Sequence, residues 1–217
     1  MLKTKPAVII ASIVAAWMFF LSDYLLDMRG MFDERFYQVF ENMSYPVAIY
    51  AAVSALAFPF LAMGLAHVLR AASLRLLVPV MVYFLLTVPI VIHTSFIYYY
   101  YVVTELGMSG EGKQLLDRFD AFKNVFGAAY FAGVALLSLA LLVTVAMGKS
   151  VFPRYFALVN PIVGIVALNL LKAISPALGE TLHPLFVPAT FLAFLMTLYG
   201  LYLLRHRQDT AAAWGSK

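Results

Sequence analysis

The sequence contains no cysteine and few charged residues, and both absences limit what the protein can be. None of its 217 residues is Cys, which excludes disulfides, thiolate metal sites, iron–sulfur clusters and a cysteine nucleophile. Charged residues make up 12% of the chain, against roughly 25% in ordinary soluble domains. Hydrophobic residues make up 64%, which is more apolar surface than a water-soluble fold of this size can bury. The composition therefore predicts that lipid is one of the solvents of this protein.

The sequence also lacks the motifs of several large functional classes. It has no Walker motif, no GxSxG, no dinucleotide fingerprint and no basic stripe typical of nucleic-acid binding. Nucleic acid is therefore not expected as a partner, and no particular cofactor is indicated. No inverted repeat of the kind found in secondary transporters is visible, so a small transporter or channel ranks third among the functional hypotheses.

Six apolar segments are each long enough to cross a bilayer, at about 20 residues per span. The apolar run from Ala7 to Leu21 has no small-x-small cleavage site, so we interpret it as a first span rather than a removed signal. The sequence predicts an all-α fold in which residues 1–217 form a single transmembrane domain, a bundle of six helices. The spans lie near residues 6–27, 46–69, 76–103, 124–147, 154–174 and 185–204.

The distribution of charge predicts which way the bundle faces. With the N-terminus placed in the cytoplasm, nine of the fifteen Lys and Arg residues lie on the inside, and ten of the eleven acids lie on the outside. Short cytoplasmic loops carry an excess of Lys and Arg. We therefore expect both termini in the cytoplasm. This arrangement requires an even number of spans, and six satisfies it.

Two segments between the spans have the pattern of amphipathic helices. Apolar residues recur at helical spacing between Phe32 and Met43, with charged residues elsewhere on the wheel, and the same pattern returns between Leu115 and Phe122. Such helices lie in the membrane interface. The sequence predicts two short helices on the outer face, and lipid anchoring is their simplest role.

His93 is the most unusual residue of the predicted third span. It lies roughly 16 Å from the outer end of its helix at 1.5 Å per residue, close to mid-membrane. An ionisable side chain at that depth is costly without a partner, so it is a functional candidate. It could be a metal ligand, a proton carrier or an anchor for a ligand. The alternative is a neutral imidazole bonded to a hydroxyl or carbonyl of a neighbouring helix.

Several polar residues are predicted on the same side of the membrane as the mouth above His93. They predict an outward-facing ligand site between the first, third and fifth spans. The candidate ligand-binding residues are His93, Asp23, Asp27, Asn169, Lys172 and Tyr98. If a metal is bound, the candidates are His93, Asp23, Asp27, Glu180 and His183, because carboxylates and imidazoles are the ligands of divalent metals. The alternative is a salt bridge of Lys172 to an acid, with the other carboxylates solvated.

Three short segments resemble patterns in a known group of proteins. They are Ser22-Asp23-Tyr24-Leu25-Leu26, Ile92-His93-Thr94-Ser95-Phe96 and the run from Phe152 to Asn160-Pro161. These segments resemble a group of bacterial six-span integral membrane proteins of uncharacterised activity. The resemblance implies six helices and a bacterial inner membrane, and it carries no activity over.

The leading functional hypothesis is a membrane protein that binds, or binds and modifies, a lipid or other amphipathic small molecule around His93. Membrane lipids are the expected partners. The second hypothesis is a structural or accessory subunit of a larger membrane complex, because the chain is small and has little mass outside its apolar segments. A membrane-protein partner or a second copy of the chain would then complete it.

Overall fold

A computed structural model describes residues 6–26, 35–83, 88–183 and 188–206. In this part of the chain the regular structure is helical, with ten α-helices. They are α1 (Pro6–Leu25), α2 (Arg35–Glu41), α3 (Tyr45–Val53), α4 (Phe58–Ala71), α5 (Val78–Val82), α6 (Val88–Tyr101), α7 (Gly110–Ala146), α8 (Pro161–Ile174), α9 (Pro176–Leu182) and α10 (Pro188–Arg205). Short 3-10 turns lie at Ser54–Ala57, Arg75–Leu77 and Arg154–Val159, and a π turn at Val102–Leu106. The all-α prediction is confirmed for the described residues.

Three helical stretches are long and apolar enough to cross a membrane. They are Pro6–Leu25, Tyr45–Ala71 (α3, its 3-10 turn and α4) and Gly110–Ala146. These three stretches suggest an integral membrane protein, and they coincide with the first, second and fourth predicted spans. The other predicted spans correspond to shorter helices: α5 and α6, with residues 84–87 outside the described part, then α8 and α10.

Proline and its neighbours determine where several helices begin. Helices α3, α4, α5, α8 and α9 each have Pro in their first turn, where the missing N–H costs nothing. Asn160 caps α8 by accepting the backbone N–H of Ile162 at 3.0 Å. The predicted start of the fifth span near residue 154 is therefore too early, because Arg154–Val159 forms a 3-10 turn before this cap.

One of the two predicted outer helices is separate and the other is not. Helix α2 falls within the predicted segment and buries Tyr37 and Phe40. The second predicted helix, Leu115–Phe122, is instead the beginning of the 37-residue α7. The prediction of a separate short helix is wrong here. Neither Pro nor Gly occurs between residues 113 and 126, so nothing in the chain interrupts the helical hydrogen bonds.

Helices α1 and α10 run antiparallel to one another. The indole of Trp17 in α1 donates to the hydroxyl of Thr197 in α10 at 3.0 Å. A Cβ on Gly200 would come within 3.0 Å of Ile9 and 3.1 Å of Ile13, so the start of α1 lies beside the end of α10. The two ends of the described chain are consequently at the same end of the bundle.

The buried residues form two hydrophobic clusters along the bundle. The larger is built from α1, α4, α7, α10 and the turn at Arg154–Val159. The smaller joins α2, α6 and the first turns of α7. Large apolar side chains such as Leu56, Val125 and Ile174 are exposed on the outside, as expected of a surface in contact with lipid.

Candidate functional site

His93 is enclosed by aromatic rings at the junction of the two hydrophobic clusters. It lies on α6 and is 3% exposed. The ring centroids of Phe19, Phe58 and Phe96 lie 5.4, 5.0 and 4.8 Å from its own. Phe19 and Phe58 belong to the larger cluster, and Phe96 belongs to the smaller. The imidazole is therefore held in an apolar shell, where each of its nitrogens needs a protein partner.

The Nδ1 atom of His93 has its partners on the second helical stretch. It lies 2.9 Å from the Oγ of Ser54 and 3.3 Å from the carbonyl oxygen of Ala51. The Ser54 hydroxyl donates to the same carbonyl at 2.6 Å. The 3-10 turn at Ser54–Ala57 brings this hydroxyl to the imidazole. An imidazole bonded to a hydroxyl or carbonyl of a neighbouring helix was one of the two alternatives predicted for His93.

The Nε2 atom of His93 faces Asp23 of α1. The distance from Nε2 to Oδ1 of Asp23 is 3.7 Å, which is longer than a hydrogen bond but short enough for an ion pair. The Asp23 side chain is 12% exposed, and Oδ1 is buried with no hydrogen bond. Tyr130 of α7 interacts electrostatically with Asp23. His93 and Asp23, both predicted as site residues, are thus brought together.

These contacts keep the first and third predicted spans at the His93 site and add the second. Its walls come from α1, α6 and the second helical stretch, the last through Ala51, Ser54 and Phe58. The predicted site included the fifth span, but α8 packs instead on α7, α9 and α10. The sequence analysis did not include the second span in the site, because the only polar group of that span at this depth is a serine.

The remaining predicted ligand residues lie apart from His93. Asn169 is exposed and its amide donates to the carbonyl of Ile165, one turn back on α8, at 2.8 Å. Lys172 forms an ion pair with Glu180 of α9 at 3.1 Å, which is the salt bridge named as the alternative. Tyr98 stacks on Phe119 with a centroid separation of 4.2 Å. Asp27 lies outside the described residues.

The predicted metal ligands are not brought together in the part of the chain that the structure describes. Within it, no group of three or more His, Cys, Asp or Glu side chains could hold a metal ion. Glu180 is 65% exposed and engaged with Lys172. His93 and Asp23 are the candidates that approach one another, and two protein ligands are fewer than the three or four of typical metal centres.

A cavity of about 50 Å³ is lined mainly by residues of α4, α7 and α10, and its walls are almost entirely apolar. Its polar lining residues are Tyr130 and Ser138, both on α7. Tyr130 lines the cavity and also interacts electrostatically with Asp23. The lining is completed by Leu65, Leu69, Met81, Val134, Leu137, Leu141, Pro161, Leu192 and Leu195. The volume admits a few carbon-sized groups.

A second polar cluster joins α2 to the beginning of α7. Tyr37 donates a hydrogen bond to Asp120, and Asp120 also pairs with Nζ of the buried Lys123 at 2.8 Å. The ammonium lies 4.8 Å from the centroid of the Tyr37 ring, a cation–π arrangement. Burial, followed by the contact with Asp120, raises the pKa of the Tyr37 phenol above its usual value. The cluster connects α2 to the bundle.

Sequence reasoning missed several residues of these sites, although some left a signal. Ser54 is the one short hydroxyl in the middle of the second apolar segment. Tyr130 is almost two helical turns inside the fourth predicted span, away from the membrane interface where tyrosine is normally enriched. Both are polar groups at a depth where each must find a partner. Lys123 gives a similar signal, because it is a charged residue at the start of the same apolar segment.

Comparisons of the chain with protein-family models, curated proteins and solved structures gave no match.

Proposed function

We propose that this chain is a six-span integral membrane protein with both termini in the cytoplasm, residing in a bacterial inner membrane. The antiparallel course of α1 and α10 supports an even number of crossings. The excess of Lys and Arg at the ends assigned to the inside supports the orientation.

The absence of cysteine permits a direct test of this topology. Ser109 is exposed before α7, and Ser150 lies after it. In intact cells a membrane-impermeant maleimide should label Ser109→Cys, and it should label Ser150→Cys only after the membrane is permeabilised. The cysteine-free parent is the matched control. Labelling of both positions from the same side would contradict the topology.

We propose further that the protein binds a lipid or other amphipathic small molecule through the cavity and the adjoining polar groups. One observation carries this proposal: Tyr130 lies on the wall of an apolar cavity and also interacts electrostatically with the buried carboxyl of Asp23. An amphipathic ligand needs an apolar space for its chain and a few placed polar groups for its head. The cavity would take the end of an apolar chain, and Tyr130 would receive a polar group.

A phosphatidylethanolamine carrying a diazirine near the end of one acyl chain tests this binding in vesicles. We expect photolabelling of the wall residues Leu137 and Leu192, on facing helices. Val134→Phe should reduce that labelling because the added ring occupies the cavity. Leu136→Phe on the exposed side of α7 is the matched control and should leave it unchanged. Labelling confined to exposed positions, and insensitive to Val134→Phe, would refute the proposal.

An accessory role in a larger complex is the second candidate, and the length of α8 favours it. Its 14 residues span about 21 Å at 1.5 Å per residue, which is less than the roughly 30 Å of a hydrocarbon core. Ile165, Val166, Leu170 and Ile174 are exposed along it. A second membrane protein would cover the ends of such a helix. Native mass measurement of the protein, transferred directly from its own membrane into lipid nanodiscs, tests the accessory role. A lone monomer would count against that role.

A further inference from the structure

We propose that Asp23, His93 and Ser54 form a proton-binding site within the bundle, in which one proton is shared by the Nε2 of His93 and the carboxyl of Asp23. This site takes a proton whether or not a lipid occupies the neighbouring cavity. It follows from counting donors and acceptors around the imidazole.

The Nδ1 atom faces acceptors only. The single hydroxyl hydrogen of Ser54 is committed to the carbonyl of Ala51 at 2.6 Å, so toward Nδ1 the Ser54 oxygen can only accept. The Ala51 carbonyl, 3.3 Å from Nδ1, has no hydrogen to offer. His93 must therefore carry a hydrogen on Nδ1. In the neutral ring, Nε2 is then an unprotonated acceptor.

The Nε2 lone pair and the Asp23 carboxyl cannot face one another without a proton. If Asp23 were ionised, an anionic oxygen with no hydrogen bond would lie 3.7 Å from a lone pair in a buried site, which is repulsive and poorly solvated. A single proton removes the conflict. It lies either on the carboxylic acid, which donates to Nε2, or on Nε2, which makes an imidazolium–carboxylate pair. Both forms are neutral overall.

The surroundings favour a neutral pair. The elements packed against it contribute the Ser54 hydroxyl and Ala51 carbonyl from the second stretch, Phe19 from α1 and Phe58 from α4. Tyr130 of α7 is the further titratable group whose interaction with Asp23 is established in the described residues. An approach of less than about 1 Å would bring Nε2 and Oδ1 to hydrogen-bond distance.

Nitrogen NMR of the wild-type protein tests where the protons lie, and variants are used only to identify which signals belong to His93 and Asp23. The chain has four histidines, so ¹⁵N-histidine labelling in phosphatidylcholine vesicles near neutral pH gives few signals, and His93→Gln identifies the one of interest. We expect a protonated Nδ1 on His93. We expect in addition either a protonated Nε2 or an infrared carbonyl band of a carboxylic acid that Asp23→Asn removes.

Asp23→Asn serves as the second variant. Its amide N–H can donate to Nε2 as the acid does, so His93 should keep its hydrogen on Nδ1 while the carboxylic acid band is lost. A neutral wild-type His93 with its hydrogen on Nε2 would overturn the proposal. A neutral ring with hydrogen on Nδ1 and no carboxylic acid band would overturn it too. Neither result depends on photolabelling of the cavity, so the two proposals fail separately.

Discussion

Replacement of His93 by leucine should destabilise the protein mainly through the partner that it leaves behind. Leucine is close to histidine in size and is compatible with the surrounding Phe19, Phe58 and Phe96 rings. Ser54 keeps its hydrogen bond to Ala51. The buried Oδ1 of Asp23, however, loses the imidazole that it faces at 3.7 Å.

The expected loss follows from these contacts. An unsatisfied buried polar group costs about 1–3 kcal/mol, and the lost interhelical bond to Ser54 costs about 0.6–1 kcal/mol. The better packing of a leucine side chain offsets part of this, up to about 1 kcal/mol. We therefore expect His93→Leu to lower the free energy of unfolding by about 1–3 kcal/mol.

The double variant provides the decisive comparison. When Asp23→Val is combined with His93→Leu, no orphaned polar group remains, and replacing both partners by apolar residues is often nearly neutral. We expect the double variant to recover to within about 1 kcal/mol of wild type, a coupling of about 1–3 kcal/mol.

The assay is equilibrium unfolding by SDS in mixed micelles, followed by circular dichroism. Thr94→Leu is the matched control, because Thr94 is the exposed next residue of α6 and its hydroxyl bonds only within its own helix. The control should change stability by less than about 0.5 kcal/mol. Additive effects of the two single variants would refute the reasoning, because they would mean that Asp23 and His93 do not depend on each other.

Three further predictions concern packing and the outer cluster, each measured by the same unfolding assay. Tyr37→Phe should cost about 1 kcal/mol of stability near neutral pH. Because burial and the contact with Asp120 raise the Tyr37 pKa, wild-type stability should fall as pH rises above about 10, the ordinary phenol value. The stability of the variant should depend less on pH, and an equal dependence would contradict this. Gly64→Val should cost about 1–3 kcal/mol, because a Cβ there would collide with Ser12; Ser12→Gly should restore part of the loss, and no cost would contradict the close packing of α1 on α4. Asn160→Ala should cost about 1–2 kcal/mol through the lost cap of α8 and the lost 2.8 Å bond to the Ser138 carbonyl, whereas an unchanged stability would show that the cap is dispensable.

The sequence predicted the membrane character of the chain and pointed to His93 as an unusual polar residue of its interior. Long apolar runs and the scarcity of charge suffice for the first, because no other solvent accommodates them. For His93, the cost of an imidazole in hydrocarbon is a local property of the residue and its depth, so it needed no knowledge of the neighbours. Asp23 was among the predicted site residues, but the contact with Ser54 could not be predicted, since Ser54 is 39 positions away from His93 in the chain.

Two predicted helix boundaries differ from the structure, because local signals that set where a helix begins or ends compete with hydropathy. Helix α8, in the fifth predicted span, begins at Pro161 rather than near residue 154, because a cap and a proline outweigh the apolar composition of the preceding turn. The amphipathic segment before the fourth span merged with it, because periodicity shows which face is apolar but not where one helix stops.

Sequence alone determined that this is an all-α chain with long apolar helices, and that one of its apolar segments carries a histidine in its interior. These properties depend on composition and on hydropathy, and both can be read from residues that are neighbours in the chain. Only the tertiary structure decided that Asp23 approaches this histidine while Asn169 and Lys172 do not. Which helix faces touch depends on side-chain packing between distant segments, and that packing is not encoded at any single position.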